Sequence, residues 1–191
     1  MADAAAFYFD LGSPDAYLAA ERVLQTMPVA TEWIPVLAQD LPAPESYDAF
    51  RCAQERDIVL GRFGEVVERR GLQPLRWPDP FPFDSTLAML AATYAKSIGR
   101  TVPFALAAFR QAFAGGRVLD SDTVLIAAAA CEMHPAAVLK AVQLRSVREQ
   151  LAAQTAQAAA LGVRDVPAFT VGDRVFHGDA ALPGAARTAA A

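Results

Sequence analysis

The stretch Phe7-Tyr8-Phe9-Asp10-Leu11-Gly12-Ser13-Pro14-Asp15-Ala16-Tyr17-Leu18 decides the fold of this chain. Its apolar first part predicts a buried strand from Phe7 to Leu11. Ser13 is a preferred helix N-cap, Pro14 suits the first helical position, and the charge of Asp15 complements the helix dipole. The stretch therefore predicts a strand that turns into a helix with a hydroxyl at its N-terminus, where an anion such as a thiolate is favoured.

The flanking sequence extends this unit at both ends of the chain. A helix from Pro14 to about Met27 and a second strand from Val29 to Leu37 give a β-α-β start. Near the other end, residues 166–171 and 174–177 read as a hairpin whose tight turn is Gly172-Asp173. A last helix is predicted from Asp179 toward Thr188.

The middle of the chain has a helical pattern. A helix is predicted from Tyr47 to Arg70 and ends at Gly71, before a proline-rich loop of fixed shape at residues 74–83. Residues 84–162 predict four or five short helices, with Ser121 or Asp122 capping one and Pro135 opening another. The order predicts an α/β class, with a thioredoxin-like domain (1–38 and 147–191) interrupted by an inserted all-helical domain (39–146).

Composition limits the partners and the compartment. The net charge of −4 and only two lysines argue against nucleic acid or an anionic membrane as partner. The start lacks a secretory pattern, and the apolar run from Val124 to Cys131 is shorter than the roughly 20 residues of a membrane span, so we expect a cytoplasmic protein. Cys52 and Cys131 have no C-x-x-C partner, so we expect two buried thiols and no metal site.

Four separated segments resemble the glutathione-dependent branch of the DsbA-like thioredoxin superfamily, which contains 2-hydroxychromene-2-carboxylate isomerases and kappa-class glutathione transferases. The opening run with Ser13-Pro14 is similar to the family's first motif, and Phe81-Pro82-Phe83-Asp84-Ser85 is similar to its central Phe-Pro-x-Asn-Ser. Val166-Pro167-Ala168-Phe169 looks like its cis-proline strand, and the segment from Gly178 to Leu182 looks like its closing motif. Together the four segments span nearly the whole chain.

The resemblance implies a catalytic role for Ser13. Redox members carry Cys-x-x-Cys at this position, whereas this chain has Ser13-Pro14-Asp15-Ala16, so it has no sulfur for disulfide exchange here. The implied cofactor is glutathione, whose thiolate would accept a hydrogen bond from the Ser13 hydroxyl. One charge-assisted bond is worth about 1.5 to 3 kcal/mol, which lowers a thiol pKa by about one to two units. Ser13-Pro14 alone is also explained by helix capping.

The same resemblance implies the other residues of the site. Val166 and Pro167 would contact the cofactor backbone, and Asp179 or Ala180 would receive its amino group, although Asp179 also fits a simple helix cap. The implied substrate-binding residues are Pro14, Phe81, Asp84 and His177. Asp84 stands where the family has asparagine and also suits a helix cap. His177 fits a pocket wall or an acid–base group, and the family's lysine after the second strand is missing.

The leading interpretation is a glutathione-dependent isomerase acting on a small aromatic-catabolism compound, in the manner of 2-hydroxychromene-2-carboxylate isomerase. Two alternatives stay open. One is a kappa-class-like glutathione transferase, which shares the thiolate site but loses the thiol with the product. The other is a redox-inactive DsbA-like binding module, which the missing lysine and Asp84 favour. The family resemblance and the apolar content also permit a homodimer.

Overall fold

The computed structural model describes residues 4–45, 47, 50 and 52–191. Its sheet has four strands in the order β2-β1-β3-β4. The strands are β1 (Ala5–Phe9), β2 (Thr31–Pro35), β3 (Ala168–Val171) and β4 (Arg174–His177). β1 and β2 are parallel, while β3 is antiparallel to both β1 and β4.

Eight α-helices lie within the described residues. They are α1 (Pro14–Thr26), α2 (Ala53–Arg69), α3 (Thr86–Ser97), α4 (Thr101–Phe113), α5 (Ser121–Ala129), α6 (Pro135–Ala141), α7 (Arg145–Ala160) and α8 (Leu182–Ala189). Short 3-10 turns occupy Ala38–Asp40 and Asp179–Ala181. The predicted class is confirmed: this is an α/β, thioredoxin-like sheet with a helical insertion, α2–α7, between its second and third strands.

Aromatic side chains join the sheet to the helices. The Phe7 ring stacks on Phe169 of the neighbouring strand at 5.2 Å and meets the edge of Trp33 at 4.8 Å. On the helical side, Phe9 lies 6.0 Å from Phe109 of α4. Burying each such ring stabilises the fold by about 1.5 to 3 kcal/mol. One cluster of buried side chains contains residues of both the sheet and the insertion.

The proline-rich loop packs its aromatic side chains against α4. Trp77 packs against Phe81 at 4.6 Å and against Phe113 of α4 at 6.1 Å. The Arg76 N–H donates to the Phe113 carbonyl at 2.8 Å. Three X-Pro bonds are cis among the described residues, at Pro80, Pro82 and Pro167.

Several local predictions differ from the structure. β1 ends at Phe9 rather than Leu11, because the Asp10 carboxylate bonds the Gly12 N–H and turns the chain. α2 begins at Ala53 rather than Tyr47, although residues 46, 48, 49 and 51 lie outside the described residues. The cap of α5 is Asp120, not Ser121 or Asp122. Cys131 is buried as expected, whereas Cys52 is exposed.

The domain boundaries stay a prediction. The boundary proposed between residues 146 and 147 falls in the first turn of α7. The same helix contacts α3 of the insertion and β2 of the sheet. No helix in the described part of the chain combines the length and apolar character needed to cross a bilayer.

Candidate functional site

Ser13 caps α1 as its sequence predicts. Its backbone is extended, with φ −93° and ψ 118°, and its Oγ accepts the Ala16 N–H at 3.1 Å. Pro14 takes the first helical position, where its missing N–H removes no helical bond. Ser13 is only 5% exposed, yet it lines a cavity. One lone pair of its oxygen is used by the helix, and its proton is available to a second partner.

Asp10 lies in the turn after β1 and lines the same cavity. Its carboxylate accepts the Gly12 N–H at 2.8 Å and the Ala38 N–H at 2.9 Å, and it also contacts the Ser85 hydroxyl. Burial raises the pKa of Asp10, and these donors oppose the rise. A Cβ at Gly12 would lie 3.2 Å from the Cβ of Ser85, so glycine permits the close approach.

Asp165 and Val166, which precede β3, form another part of the cavity lining. The Val166–Pro167 peptide bond is cis, as the family resemblance implies, and Val166 lines the cavity. The Val166 N–H donates to Oδ1 of Asp165 at 2.7 Å. This bond uses the backbone donor that the resemblance assigns to the cofactor, so an incoming acceptor must displace the Asp165 carboxylate.

These walls enclose a cavity of about 340 Å³, near the lower end of the usual range for small-molecule pockets. The structure brings three of the predicted site residues, Ser13, Val166 and Asp84, to its lining. Pro167 lies next to that lining but does not form it, and Pro14 is buried at the start of α1.

Three further predicted residues lie elsewhere. Asp179 is 8% exposed and accepts hydrogen bonds from Arg22 at 3.3 Å and Arg70 at 3.0 Å. Both of its oxygens accept hydrogen bonds from guanidinium groups, and the contact with a cofactor amine that the resemblance implies for Asp179 stays a prediction. Ala180 is exposed in the 3-10 turn. The His177 Nε2 accepts the Arg164 N–H at 3.0 Å on the edge strand β4, outside the cavity lining.

The implied aromatic contact also differs in detail. Phe81 is buried against Trp77 and Tyr47 rather than lining the main cavity. Its neighbour Phe83 lines the cavity instead. The central motif therefore does reach the site, but through the residues that follow Phe81.

A carboxyl pair at the cavity was missed by sequence reasoning. Asp15 shares a hydrogen bond with Glu45, and burial followed by the charge of Glu45 raises the pKa of Asp15 to about 7. The Tyr47 hydroxyl donates to Oε2 of Glu45 at 3.1 Å and contacts the Ser13 hydroxyl. Burial is the main cause that raises the pKa of Tyr47. Asp15 alone carried a sequence signal, as a complement to the helix dipole.

The lining is acidic. Besides Asp10, three carboxyl groups reach it, those of Glu45, Asp84 and Asp165, and none of its described residues is lysine, arginine or histidine. Asp84 accepts the Thr86 N–H at 2.8 Å, and bonds from the Thr86 hydroxyl and N–H lower the Asp84 pKa. Within the described residues, no group of three His, Cys, Asp or Glu side chains is arranged to hold a metal ion.

The sequence profile of the DSBA-like thioredoxin domain matches residues 5–189. The chain belongs to this family. Its fold is similar to a solved 2-hydroxychromene-2-carboxylate isomerase, with TM-score 0.82 and 18% identity over 93% of this chain and 90% of the other. It is also similar to a probable DsbA oxidoreductase from Streptomyces coelicolor, with TM-score 0.77 and 17% identity over 98% and 89%.

A third solved structure with the same fold contains glutathione. This is the cytosolic disulfide reductase DsbM from Pseudomonas aeruginosa with GSH, at TM-score 0.67 and 14% identity over 98% of this chain and 96% of the other. No curated protein matches the sequence. At these identities the solved structures establish the fold, and the chemistry of this chain has to be argued from its own residues.

Proposed function

We propose that this protein is a thiol-dependent isomerase of a small aromatic compound, with Ser13 stabilising the thiolate of a glutathione-type cofactor. One observation carries the proposal. The Ser13 hydroxyl and the residue before cis-Pro167 line the same cavity at the N-terminus of α1. The fold similarity to 2-hydroxychromene-2-carboxylate isomerase supports the reaction class.

The residues of this chain hold and polarise the sulfur. The Ser13 hydroxyl lines the cavity at the N-terminus of α1, where the helix dipole favours an anion; Pro14 has no N–H, and the Ala16 N–H already donates to Ser13 Oγ. A thiol held beside Ser13 would supply the nucleophilic sulfur that this site lacks, for reversible addition to a conjugated carbonyl compound. The rings of Tyr47 and Phe83 line the cavity and offer apolar surface to an aromatic substrate.

Glutathione fits this site in part. The hydroxyl of Ser13 suits its thiol, and the Val166 backbone suits its central peptide if Asp165 releases the N–H. Its two carboxylates face a lining with no described cationic residue. The site therefore accepts the thiol end of the molecule better than its charged ends.

The proposal is tested by titrating a thiol in the protein. We expect the thiolate absorbance of bound thiol to report a pKa about one to two units below that of the free thiol. Ser13→Ala removes this shift. Asp120→Ala is the matched control, because Asp120 caps α5 through the Thr123 N–H in the same way and lies outside the cavity lining.

Comparing the two variants separates the loss of a helix cap from the loss of thiol activation. Each loses about 1 kcal/mol of stability as a lost N-cap. Only Ser13→Ala is expected to lose the thiol pKa shift and the thiol-dependent turnover of conjugated aromatic carbonyl compounds. A shift that persists in Ser13→Ala, or no thiol binding at all, contradicts the proposal.

A second function is favoured by a different observation. The Val166 N–H is already bonded to Asp165, as expected if this site does not bind a cofactor backbone. This supports a redox-inactive binding module of DsbA fold. Binding of a small molecule or peptide without turnover, with or without thiol, would identify it.

A further inference from the structure

The charge of the cavity restricts the thiol that it can hold. Glu45, Asp84 and Asp165 bring carboxyl groups to the lining from three separate segments of the chain. A bound thiol in contact with Ser13 therefore has acidic groups around it in a partly enclosed space. Glu45 and Asp84 are exposed and Asp165 is half-buried, so solvent and salt screen part of the repulsion that these groups exert on a ligand carboxylate.

Two of these carboxyl groups are already held by donors of the protein. Asp84 accepts the Thr86 N–H, and the Thr86 bonds keep it ionised at neutral pH. Asp165 accepts the N–H of Val166 at 2.7 Å. Burial raises the pKa of Asp165. A ligand carboxylate thus meets the ionised Asp84 and finds no free backbone donor at Val166.

Two arginines outside the lining are already paired with a carboxylate of the protein. The guanidinium groups of Arg22 and Arg70 both bond Asp179, and neither residue belongs to the cavity lining. The carboxyl groups of Asp15 and Glu45 bond each other, which requires a shared proton. This shared proton relieves part of the charge repulsion among the carboxyl groups, and the described lining offers no cationic side chain to a ligand carboxylate.

We infer that the cavity takes a low-molecular-weight thiol without carboxylate groups, whose polar atoms are hydroxyl, amide or ammonium, in preference to glutathione. This inference rests on the proposed thiol-dependent function. Hydroxyl, amide and ammonium groups donate to the lining carboxylates, whereas a carboxylate group only accepts.

The test compares glutathione with its dimethyl ester, which has the same thiol and peptide backbone but neither carboxylate. Calorimetric titration of each into the reduced protein at neutral pH is expected to give a dissociation constant at least tenfold lower for the ester. The ratio of the two constants should fall as salt is added, because the difference is electrostatic.

Matched substitutions locate the effect. Asp84→Asn removes one charge from the lining and keeps a side chain that caps well, so it should tighten glutathione several-fold and change the ester little. Asp120→Asn makes the same change at a residue outside the lining whose carboxylate also accepts a threonine N–H at the start of a helix, that of Thr123. It should leave both constants unchanged.

The outcomes distinguish this inference from the function on which it rests. If glutathione binds as tightly as its ester, or if Asp84→Asn and Asp120→Asn behave alike, the inference is wrong while the thiol-dependent function stands. If neither thiol binds, both are wrong.

Discussion

At the level of single residues, the Ser13 hydroxyl can cap α1 and bind a ligand in the cavity at the same time. Its oxygen accepts the Ala16 N–H, so the helix start is capped whether or not a ligand is present. The same hydroxyl contacts the Tyr47 hydroxyl on the cavity side, and a hydroxyl can donate one hydrogen bond while it accepts another. Capping was predictable from two adjacent residues, because it depends on local backbone geometry alone.

Asp15 gives the stability of the protein a pH dependence. Its folded-state pKa is about 7, raised first by burial and then by Glu45, against about 4 in an unfolded chain. The folded state therefore holds the proton more tightly, and this contribution to stability is complete below about pH 4 and lost as the pH rises through about 7. Asp15→Asn should raise the free energy of unfolding at about pH 8 by about 1 to 3 kcal/mol.

Urea titrations at two pH values check this expectation. At about pH 4 the unfolding free energies of Asp15→Asn and the wild type should nearly agree, since Asp15 is then neutral in the folded protein. Equal stabilisation at both pH values would show that the folded state does not raise the pKa of Asp15.

Single residues also show where sequence reasoning stops. Ser13, Val166 and Asp84 were placed at the site by short motifs, which fix residue type and spacing. Glu45 and Asp165 were missed as site residues because they come from loops far apart in sequence. Only the folded chain brings their carboxyl groups to one cavity.

At the level of elements, periodicity predicted the helices well and one helix start poorly. The apolar spacing predicts that α2 begins at Tyr47, whereas the helix begins at Ala53. The Tyr47 ring instead packs against Phe63 at 6.3 Å and Phe81 at 5.7 Å. An apolar spacing reports which side chains are buried, and a buried side chain before a helix gives the same signal as one inside it.

An ion-pair cluster joins three elements around Asp179. Its carboxylate bonds Arg22 of α1 and Arg70 at the end of α2, and Asp179 itself begins the 3-10 turn before α8. Asp179→Asn leaves two guanidinium groups with a neutral partner, so we expect a loss of about 2 to 3 kcal/mol in unfolding free energy. Chemical denaturation measures it.

The control for this variant is an exposed ion pair. Glu149→Gln breaks the pair with Arg145 on α7, whose side chains are 60% and 90% exposed, and should change stability by less than about 0.5 kcal/mol. If Asp179→Asn is as mild as Glu149→Gln but weakens thiol binding, Asp179 serves the cofactor and not the fold.

The contact between the proline-rich loop and α4 depends on a glycine. Gly116 has φ +68°, and a Cβ there would lie 3.1 Å from the Cβ of Arg76. Gly71 has a similar φ of +62° with nothing within 4 Å. Gly71→Ala should cost about 1 to 2 kcal/mol from backbone strain alone, and Gly116→Ala at least about 1 kcal/mol more from the clash.

The difference between the two variants measures that contact. Thermal unfolding gives both values, and the fluorescence of Trp77, whose carbonyl lies 3.5 Å from the same Cβ position, should change only in Gly116→Ala. Equal destabilisation by both substitutions would mean that the proline-rich loop moves away from the added Cβ with no loss of unfolding free energy.

At the level of the whole molecule, the site lies where distant parts of the chain meet. The lining combines the turn after β1, the loop from Ala38 to Tyr47, the end of the proline-rich loop and the approach to β3. The order of elements was predictable, because each element is a local pattern. The acidity of the cavity was not predictable from such local patterns, because it results from the packing of the sheet against its insertion.

That packing also predicts how the protein unfolds. The chain has two tryptophans, Trp33 on the sheet beside Phe7 and Trp77 in the insertion beside Phe113. Because one core includes residues of both parts, we expect a single cooperative transition. In Trp33→Phe and Trp77→Phe, the remaining tryptophan's fluorescence should give the same urea midpoint as the circular dichroism of that variant. In Trp77→Phe, a Trp33 signal lost at a urea concentration different from that of the helical signal, which comes mainly from α2–α7, would show that the sheet and its insertion unfold separately.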